Sequence, residues 1–256
     1  MKLTALASGM TQRAEFRSQS VRFEPTRLGS APALLAWPAG EILAPLPAVL
    51  WLHGFTADKE THRPELGALA KAGFLGVGID AVGHGERRFA DFEARFDQAQ
   101  NATDDAFLDL VETSAREIPE IRAALATLPE VAPEQISIAG ISMGAYTLYD
   151  ALTSLDGFAA AVALLGSPRW PRASSPHHSL ARFFPTALFS LTAGQDEVVA
   201  PEGARRFHED LAPYYAARPE RLKYREIEGA SHLMSPIDWA LAVRETIAWL
   251  IRFGKV

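Results

Sequence analysis

One serine of this chain lies in a pattern that could make it a nucleophile. The segment SIAGISMGAY, residues 137–146, places Ser142 between Gly140 and Gly144, with a short apolar run before it and a helix-forming run after it. A turn sharp enough to expose the hydroxyl between a strand and a helix needs these glycines, because larger side chains would collide with neighbouring elements. The bare pattern G-x-S-x-G arises by chance on the order of 0.1 times in a chain of this length. A glycine-rich turn with an inert serine is the alternative.

A serine hydroxyl needs a histidine base, and the histidine needs an acid to orient it. On a strand-turn-helix of this kind the acid and then the histidine follow the serine along the chain. No Asp or Glu occurs between Asp156 and Asp196, and Asp196 follows a predicted strand directly, which favours it over Glu197. A turn or helix-cap role is the alternative for Asp196. Of the two later histidines, His208 lies in a helical pattern and is predicted to be a surface residue, whereas His232 lies in the loop after the last strand. We therefore predict Asp196 and His232 as the partners of the serine.

The reaction of such a serine also needs amide donors for the negative oxygen of its tetrahedral intermediate. The amide of Met143, directly after the serine, is predicted to be one donor. The second is expected in the loop LHGF, residues 52–55, after an earlier apolar run. We predict the Phe55 amide in this role, with Gly54 allowing a close approach and His53 holding the loop in a structural role.

The elements that must position these residues alternate along the chain. Apolar runs of strand length follow a predicted hairpin over residues 15–37; they lie at 48–53, 74–80, 135–140, 158–166, 186–194 and 222–229. Helical patterns alternate with them, at 63–73, 103–128, 143–155, from Pro201 and at 236–253, and Pro119 is expected to kink or split the longest one. This alternation predicts the α/β class, with a mostly parallel sheet, helices on both faces and a single domain over residues 1–256. In such sheets reactive groups gather at the carboxyl ends of the strands.

One segment interrupts the alternation. Residues 167–185, SPRWPRASSPHHSLARFFP, are rich in Pro and Ser and lie between two predicted strands. We expect a short, cap-like insertion that rims the active site and is too small for a lid domain. Its aromatic residues are predicted to form an apolar wall for the substrate: Trp170, Phe183 and Phe184. Its arginines either favour an anionic substrate or, the preferred interpretation, balance an acidic surface: Arg169, Arg172 and Arg182.

The motifs WLHGF, DAVGHGE, GISMG, GQDEVV and GASHLM, in this order across residues 48–235, resemble the α/β-hydrolase superfamily. The segment that begins HGFTADKE is similar to small esterases near the dienelactone hydrolase and prolyl oligopeptidase-type groups. The resemblance implies the α/β-hydrolase fold, a triad of Ser142, Asp196 and His232, and oxyanion donors at Met143 and Phe55. It also implies that His84, in GHG, stabilises a loop.

Two departures from these relatives narrow the expected activity. Dienelactone hydrolases use a cysteine nucleophile, and this chain has no cysteine; the prolyl oligopeptidase-type enzymes carry a propeller domain that nothing in the sequence could form. We expect hydrolysis of carboxylic esters of small to medium size. The alternatives are thioester or small-amide hydrolysis, haloperoxidase-like or C–C bond-cleaving chemistry on the same triad, and a non-catalytic binding module.

The composition excludes several other classes. The chain has 256 residues, of which 48% are hydrophobic and 22% charged, a formal charge of −6 and no long basic stripe, so nucleic acid is not expected as a partner. Disulfides and cysteine-ligated metals are excluded, the histidine spacing matches no standard zinc pattern, and we expect no metal or other cofactor. No run approaches the ~18 apolar residues of a membrane span, and the start MKLTALASGM lacks the apolar core of a signal peptide. We therefore expect a cytoplasmic protein that acts without a membrane, whose oligomeric state the sequence does not fix.

Overall fold

In the computed structural model, which describes residues 20–96 and 105–255, eight strands form one sheet. In chain order they are β1 (Arg22–Leu28), β2 (Ala31–Trp37), β3 (Leu46–Leu52), β4 (Leu75–Ile79), β5 (Val131–Ile141), β6 (Ala160–Leu164), β7 (Ala187–Ala193) and β8 (Leu222–Ile227). Their order across the sheet is β1-β2-β4-β3-β5-β6-β7-β8. The pairs β1–β2 and β2–β4 are antiparallel, and every pair from β4 to β8 is parallel. The predicted mostly parallel sheet is confirmed.

The helices cover both faces of this sheet. They are α1 (Arg63–Lys71), α2 (Phe92–Phe96), α3 (Asp105–Ala126), α4 (Met143–Ser154), α5 (Glu202–Leu211) and α6 (Pro236–Phe253). Successive side chains of a strand point to opposite faces. In β3, Leu50 packs into the core beneath α3, α4 and α5, whereas Val49 and Trp51 pack into the core beneath α1 and α6. The strands β2, β3, β4, β6 and β7 are buried along almost their whole length because helices cover them on both sides.

Two predicted elements, the N-terminal hairpin and the longest helix, are described only in part. Residues 22–28 and 31–37 form the predicted hairpin, which turns at Gly29 with φ of +58°; residues 15–19 lie outside the described residues. The predicted helix start at residues 103 and 104 also lies outside them. From Asp105 onward the helix runs unbroken to Ala126 with Pro119 inside it, so the proline does not split it.

The insertion over residues 167–185 is fastened to the body of the protein by its arginines. Arg172 forms ion pairs with three acidic side chains of α3: Asp105, Asp109 and Glu112. Arg169 pairs with Asp210 of α5, and Arg182 pairs with Asp156 after α4. These contacts match the preferred interpretation of the arginines, as partners of acidic surface residues.

Candidate active site

Ser142 lies in a strained turn between β5 and α4. Its φ is +50° and its ψ −116°, a conformation that costs a non-glycine residue about 1–3 kcal/mol. Its amide donates to the carbonyl of Leu164 on the neighbouring strand at 2.8 Å. A Cβ atom added to Gly140 would lie 2.2 Å from the Gly144 carbonyl oxygen, and one added to Gly144 would lie 2.3 Å from the Leu52 oxygen. Both glycines are therefore required for the turn that raises the serine above the sheet.

Two loops at the same edge of the sheet bring Asp196 and His232 to this serine. His232 Nε2 is 3.1 Å from Ser142 Oγ, and His232 Nδ1 is 2.8 Å from Asp196 Oδ2. Asp196 follows β7 and His232 follows β8. The sheet therefore brings to Ser142 two residues that lie 54 and 90 positions after it along the chain.

The carboxylate of Asp196 is itself held in place. Its side chain is fully buried, and its Oδ1 accepts hydrogen bonds from the amides of Val198 and Val199 at 2.9 and 2.7 Å. With the carboxylate beside Nδ1 of His232, the proton of a neutral imidazole lies on that nitrogen. The lone pair of Nε2 then faces the hydroxyl of Ser142, the orientation that a general base requires.

The two predicted oxyanion donors lie beside this serine. Met143 is the first residue of α4, so its amide has no acceptor within the helix. A Cβ atom added to Gly54 would lie 3.7 Å from Ser142 Cβ, which places the loop before Phe55 directly against the serine. Within the described part of the chain, neither the Phe55 amide nor the Met143 amide has a hydrogen-bond acceptor. The arrangement leaves both N–H groups available to a ligand.

Two buried histidines fasten the loop that carries Phe55. The amide of Ala81 donates to His53 Nε2 at 3.0 Å, and His53 Nδ1 donates to the Gly54 carbonyl at 2.7 Å. His84 accepts from the amide of Thr56 at 3.3 Å and donates to Val82 O at 2.9 Å. Burial lowers the pKa of His53 to about 4 and also lowers the pKa of His84, so both rings are neutral at pH 7. The predicted structural roles of both histidines are confirmed.

An apolar cavity of about 460 Å³ opens beside Ser142. Its lining comes from the end of β5, from the loops after β3, β5, β6, β7 and β8, and from the start of α6: Gly54, Phe55, Ala57, Thr61, His62, Ile141, Ser142, Leu165, Val198, His232, Leu233, Met234 and Trp239. Leu233 is 84% exposed and Val198 52% exposed, so the rim of the cavity is apolar as well. The cavity can hold an uncharged substrate against the serine.

The aromatic residues of the insertion do not line this cavity. Phe183 is fully buried in the core beneath α5, where its ring packs on Phe207, and Phe184 packs against Tyr215. Trp170 stacks on Tyr146 in a cluster that also contains Met143. The prediction that these three side chains form a wall of the pocket is wrong, because the large rings fill the core behind the insertion instead of facing the serine.

The prediction that His208 is a surface residue is also wrong. Its side chain is buried, and its Nε2 lies 2.7 Å from Ser190 Oγ, which is also 2.6 Å from the hydroxyl of Tyr149. Burial lowers the pKa of His208 to about 3. The acidic neighbours Glu209 and Asp210 are on the outer side of α5, and the histidine faces inward, so the local composition misleads.

Sequence reasoning missed the side of the cavity formed by α1 and α6. His62 and Trp239 line it, and both contact Glu65: His62 Nδ1 is 3.4 Å from Glu65 Oε2, and Trp239 Nε1 donates to Glu65 Oε1 at 2.7 Å. Glu65 and Trp239 lie 174 positions apart along the chain. The one sequence feature that could have indicated this wall of the cavity is Trp239, which closely follows the GASHLM motif.

Two further properties concern cofactors and membranes. In the described ranges 20–96 and 105–255, no three His, Cys, Asp or Glu side chains are grouped so that they could hold a metal ion. In the same ranges, the helices are too short or too polar to span a bilayer.

A sheet of this topology, with a Ser–His–Asp constellation at the carboxyl edge of its parallel strands, defines the class of α/β hydrolases. The sequence profile of the alpha/beta hydrolase family matches residues 49–252, and the chain belongs to this family. The resemblance found in the sequence is confirmed. Esterase YjfP of Escherichia coli (strain K12) is 30% identical over 185 residues, which cover 71% of this chain and 68% of that protein.

Solved structures show the same fold. The structure of TT1662 from Thermus thermophilus superposes with a TM-score of 0.68 at 23% identity and covers 93% of this chain and 99% of that one. The dienelactone hydrolase from Anabaena variabilis ATCC 29413 superposes with a TM-score of 0.62 at 15% identity, over 92% of this chain and 98% of that one. At these identities the likeness concerns the fold alone.

Proposed function

We propose that this α/β hydrolase cleaves carboxylic esters of small to medium size through an acyl-enzyme on Ser142. One observation carries the proposal: His232 lies between the serine and the carboxylate, with Nε2 3.1 Å from Ser142 Oγ and Nδ1 2.8 Å from Asp196 Oδ2. This arrangement activates a hydroxyl toward a carbonyl carbon. The similarity to a protein named as an esterase supports an ester as the substrate.

In the first half of the reaction Ser142 Oγ attacks the ester carbonyl and His232 Nε2 takes the hydroxyl proton. Asp196 keeps the imidazole in its orientation and stabilises the cation that forms. The carbonyl oxygen becomes negative and accepts hydrogen bonds from the amides of Phe55 and Met143. His232 then gives its proton to the leaving alcohol, and the acyl group remains on the serine.

In the second half a water molecule replaces the alcohol. His232 Nε2 takes a proton from the water as its oxygen attacks the acyl carbonyl, and the same two amides hold the second tetrahedral oxygen. The proton returns to Ser142 Oγ as the acid leaves. No step requires a cofactor.

The cavity supports the proposed range of substrates. Its volume of about 460 Å³ and its apolar lining suit an uncharged ester with a short or medium chain. The three arginines of the insertion do not line it and are paired with acidic residues, so they provide no site for an anionic group there.

The direct test is turnover of p-nitrophenyl acetate and butyrate, together with labelling by a fluorophosphonate probe. Wild-type protein should hydrolyse both esters and become labelled. The variant Ser142→Ala should lose turnover by on the order of 10⁴-fold or more and should not be labelled. Ser190→Ala, which changes a buried serine with its own histidine partner, is the matched control and should keep both properties. Undiminished labelling of Ser142→Ala would show that another residue is the nucleophile.

A further inference from the structure

A second apolar cavity lies beside the one that contains Ser142. It occupies the groove between α1 and α6, its volume is also about 460 Å³, and its walls include Pro64, Val243 and Ile247. The reaction proposed above uses no residue of this second cavity. Its walls also include the charged residues Glu65 and Arg244, but most of its lining is apolar, and its size and lining suit a hydrocarbon chain.

Trp239 is the boundary between the two cavities. Among the residues that the structure describes, it is the one side chain that lines both. It belongs to the first turn of α6. His232 and Met234, just before this turn, line the cavity of the serine, whereas Ala240 and Val243, just after Trp239, line the second cavity. The indole therefore stands where a chain would pass from one cavity into the other.

The position of the indole is fixed by a buried carboxylate. Trp239 Nε1 donates to Glu65 Oε1 at 2.7 Å, and Glu65 is only 8% exposed. The other oxygen of Glu65 lies 3.4 Å from His62 Nδ1. Burial raises the pKa of Glu65, but the hydrogen bonds from His62 and Trp239 outweigh it and hold the pKa below its ordinary value. Glu65 is thus ionised at neutral pH and accepts the indole proton strongly.

We infer that Trp239 is a specificity-determining residue that closes the catalytic cavity toward the second one and so limits the length of the ester chain that is hydrolysed. The inference rests on the proposed esterase function. A chain that fits the first cavity is removed from water up to the indole, and additional methylene groups stay in water. Each methylene that finds cover favours binding by about fourfold, so opening the passage should favour longer chains.

The test compares kcat/KM for short and long esters in wild-type protein and Trp239→Ala. Two series separate the two ends of the ester: p-nitrophenyl butyrate against octanoate, and butyl acetate against octyl acetate. In Trp239→Ala, kcat/KM for the longer ester divided by kcat/KM for the shorter ester should rise by about tenfold or more over wild type in at least one series. This is the effect of burying one or two more methylene groups. Trp239→Phe keeps the bulk but removes the N–H donor, and its ratios should stay within about twofold of wild type.

A second substitution checks that the gain comes from the cavity. Adding Val243→Trp to Trp239→Ala refills the second cavity and should return the ratio toward the wild-type value. Ile251→Ala, at an exposed position of α6 that lines neither cavity, is the matched control and should leave the ratios unchanged. If Trp239→Ala does not fold, Trp239→Leu opens part of the passage and decides the same question.

The decisive case is a folded Trp239→Ala protein that still hydrolyses the short esters. If both of its ratios stay within about twofold of the wild-type values, the inference fails. A twofold change is smaller than the gain expected from burying one methylene group. Failure of the proposed function is recognised separately. In that case wild-type protein hydrolyses none of the four esters before any variant is made.

Discussion

Two serine–histidine pairs in this protein have similar hydrogen-bond geometry and different surroundings. Ser142 Oγ lies 3.1 Å from His232 Nε2, and Ser190 Oγ lies 2.7 Å from His208 Nε2. By distance alone the second pair is the closer one. Ser190 lies in the middle of β7 and is fully buried, however, whereas Ser142 lines an open cavity at the edge of the sheet.

The second difference is the partner of the other imidazole nitrogen. His232 Nδ1 is held by the carboxylate of Asp196, whereas His208 Nδ1 is buried with no partner among the described residues. Ser190 also contacts the hydroxyl of Tyr149, so its oxygen is engaged within the core. A hydrogen bond between serine and histidine therefore does not define a nucleophile. A nucleophilic serine also needs access to substrate, an acid that orients its histidine, and free amides beside its hydroxyl.

The largest expected effect separates the two histidines. His232→Ala should lower kcat/KM for p-nitrophenyl butyrate by on the order of 10⁴-fold or more, because the variant lacks the proposed general base. His208→Gln should keep kcat/KM within about threefold of wild type while lowering the free energy of unfolding by roughly 1–3 kcal/mol, since a buried hydrogen-bonded group is changed. Steady-state kinetics and urea unfolding measure the two quantities. Equal losses of activity in both variants would contradict the distinction between the pairs.

A second test concerns the turn that exposes Ser142. Gly144→Ala places a methyl group 2.3 Å from the Leu52 oxygen, and we expect kcat to fall by about 100-fold or more as the serine and the Met143 amide move. Gly67→Ala, within α1, is the matched control, because its methyl group would lie 3.7 Å from the ring of Phe23, an ordinary van der Waals distance. That substitution should keep activity and raise the free energy of unfolding by up to about 1 kcal/mol. Full activity of Gly144→Ala would show that the close packing of the turn is dispensable.

A third test concerns the loop that carries Phe55. His84→Phe retains an aromatic ring against Phe55 and Phe92 but removes the acceptor of the Thr56 amide. We expect kcat to fall by about tenfold, less than the loss of a whole oxyanion donor, because the loop is loosened and not removed. His178→Phe, at an exposed position of the insertion, is the control. An unchanged kcat in His84→Phe would mean that the other contacts suffice to position the loop.

The smallest effect is a pH dependence of stability. The pKa of His208 is about 3 in the folded protein and near 6.5 in the unfolded chain. Between these values the unfolded chain binds a proton that the folded protein excludes, so the free energy of unfolding falls as the pH falls below 6.5, by about 1 kcal/mol per pH unit. His208→Gln should show a shallower decline between pH 7.5 and 5 in urea unfolding. Parallel declines would show that His208 does not titrate in this way.

The sequence was sufficient for the features that are set locally. The pattern around Ser142 specifies a strand, a tight turn and a helix, and the loops with Asp196 and His232 follow strands of a sheet whose parallel order brings their ends together. The fold is therefore predictable from the alternation of elements. The three side chains are predictable from their place in it, because each position depends on one strand end.

The walls of the cavity could not be predicted in the same way. They depend on how α1 and α6 pack beside each other, which brings His62 and Trp239 together through Glu65. Phe183 is of a residue type common in substrate pockets, but its ring packs in the core against Phe207. His208 has charged sequence neighbours, as surface residues do, but it faces Ser190. In each case the direction of a side chain is decided by partners that are distant in the sequence.

The ion pairs of Arg172 with α3 also bear on how substrates reach the serine. A cover that swings aside at an oil–water interface needs weak attachments along its length. The arginines of residues 167–185 instead form ion pairs with five carboxylates, and the rings of Trp170 and Phe183 are buried beneath the segment. The rate of ester turnover should therefore rise smoothly with the concentration of dissolved ester and show no jump where the ester begins to form droplets.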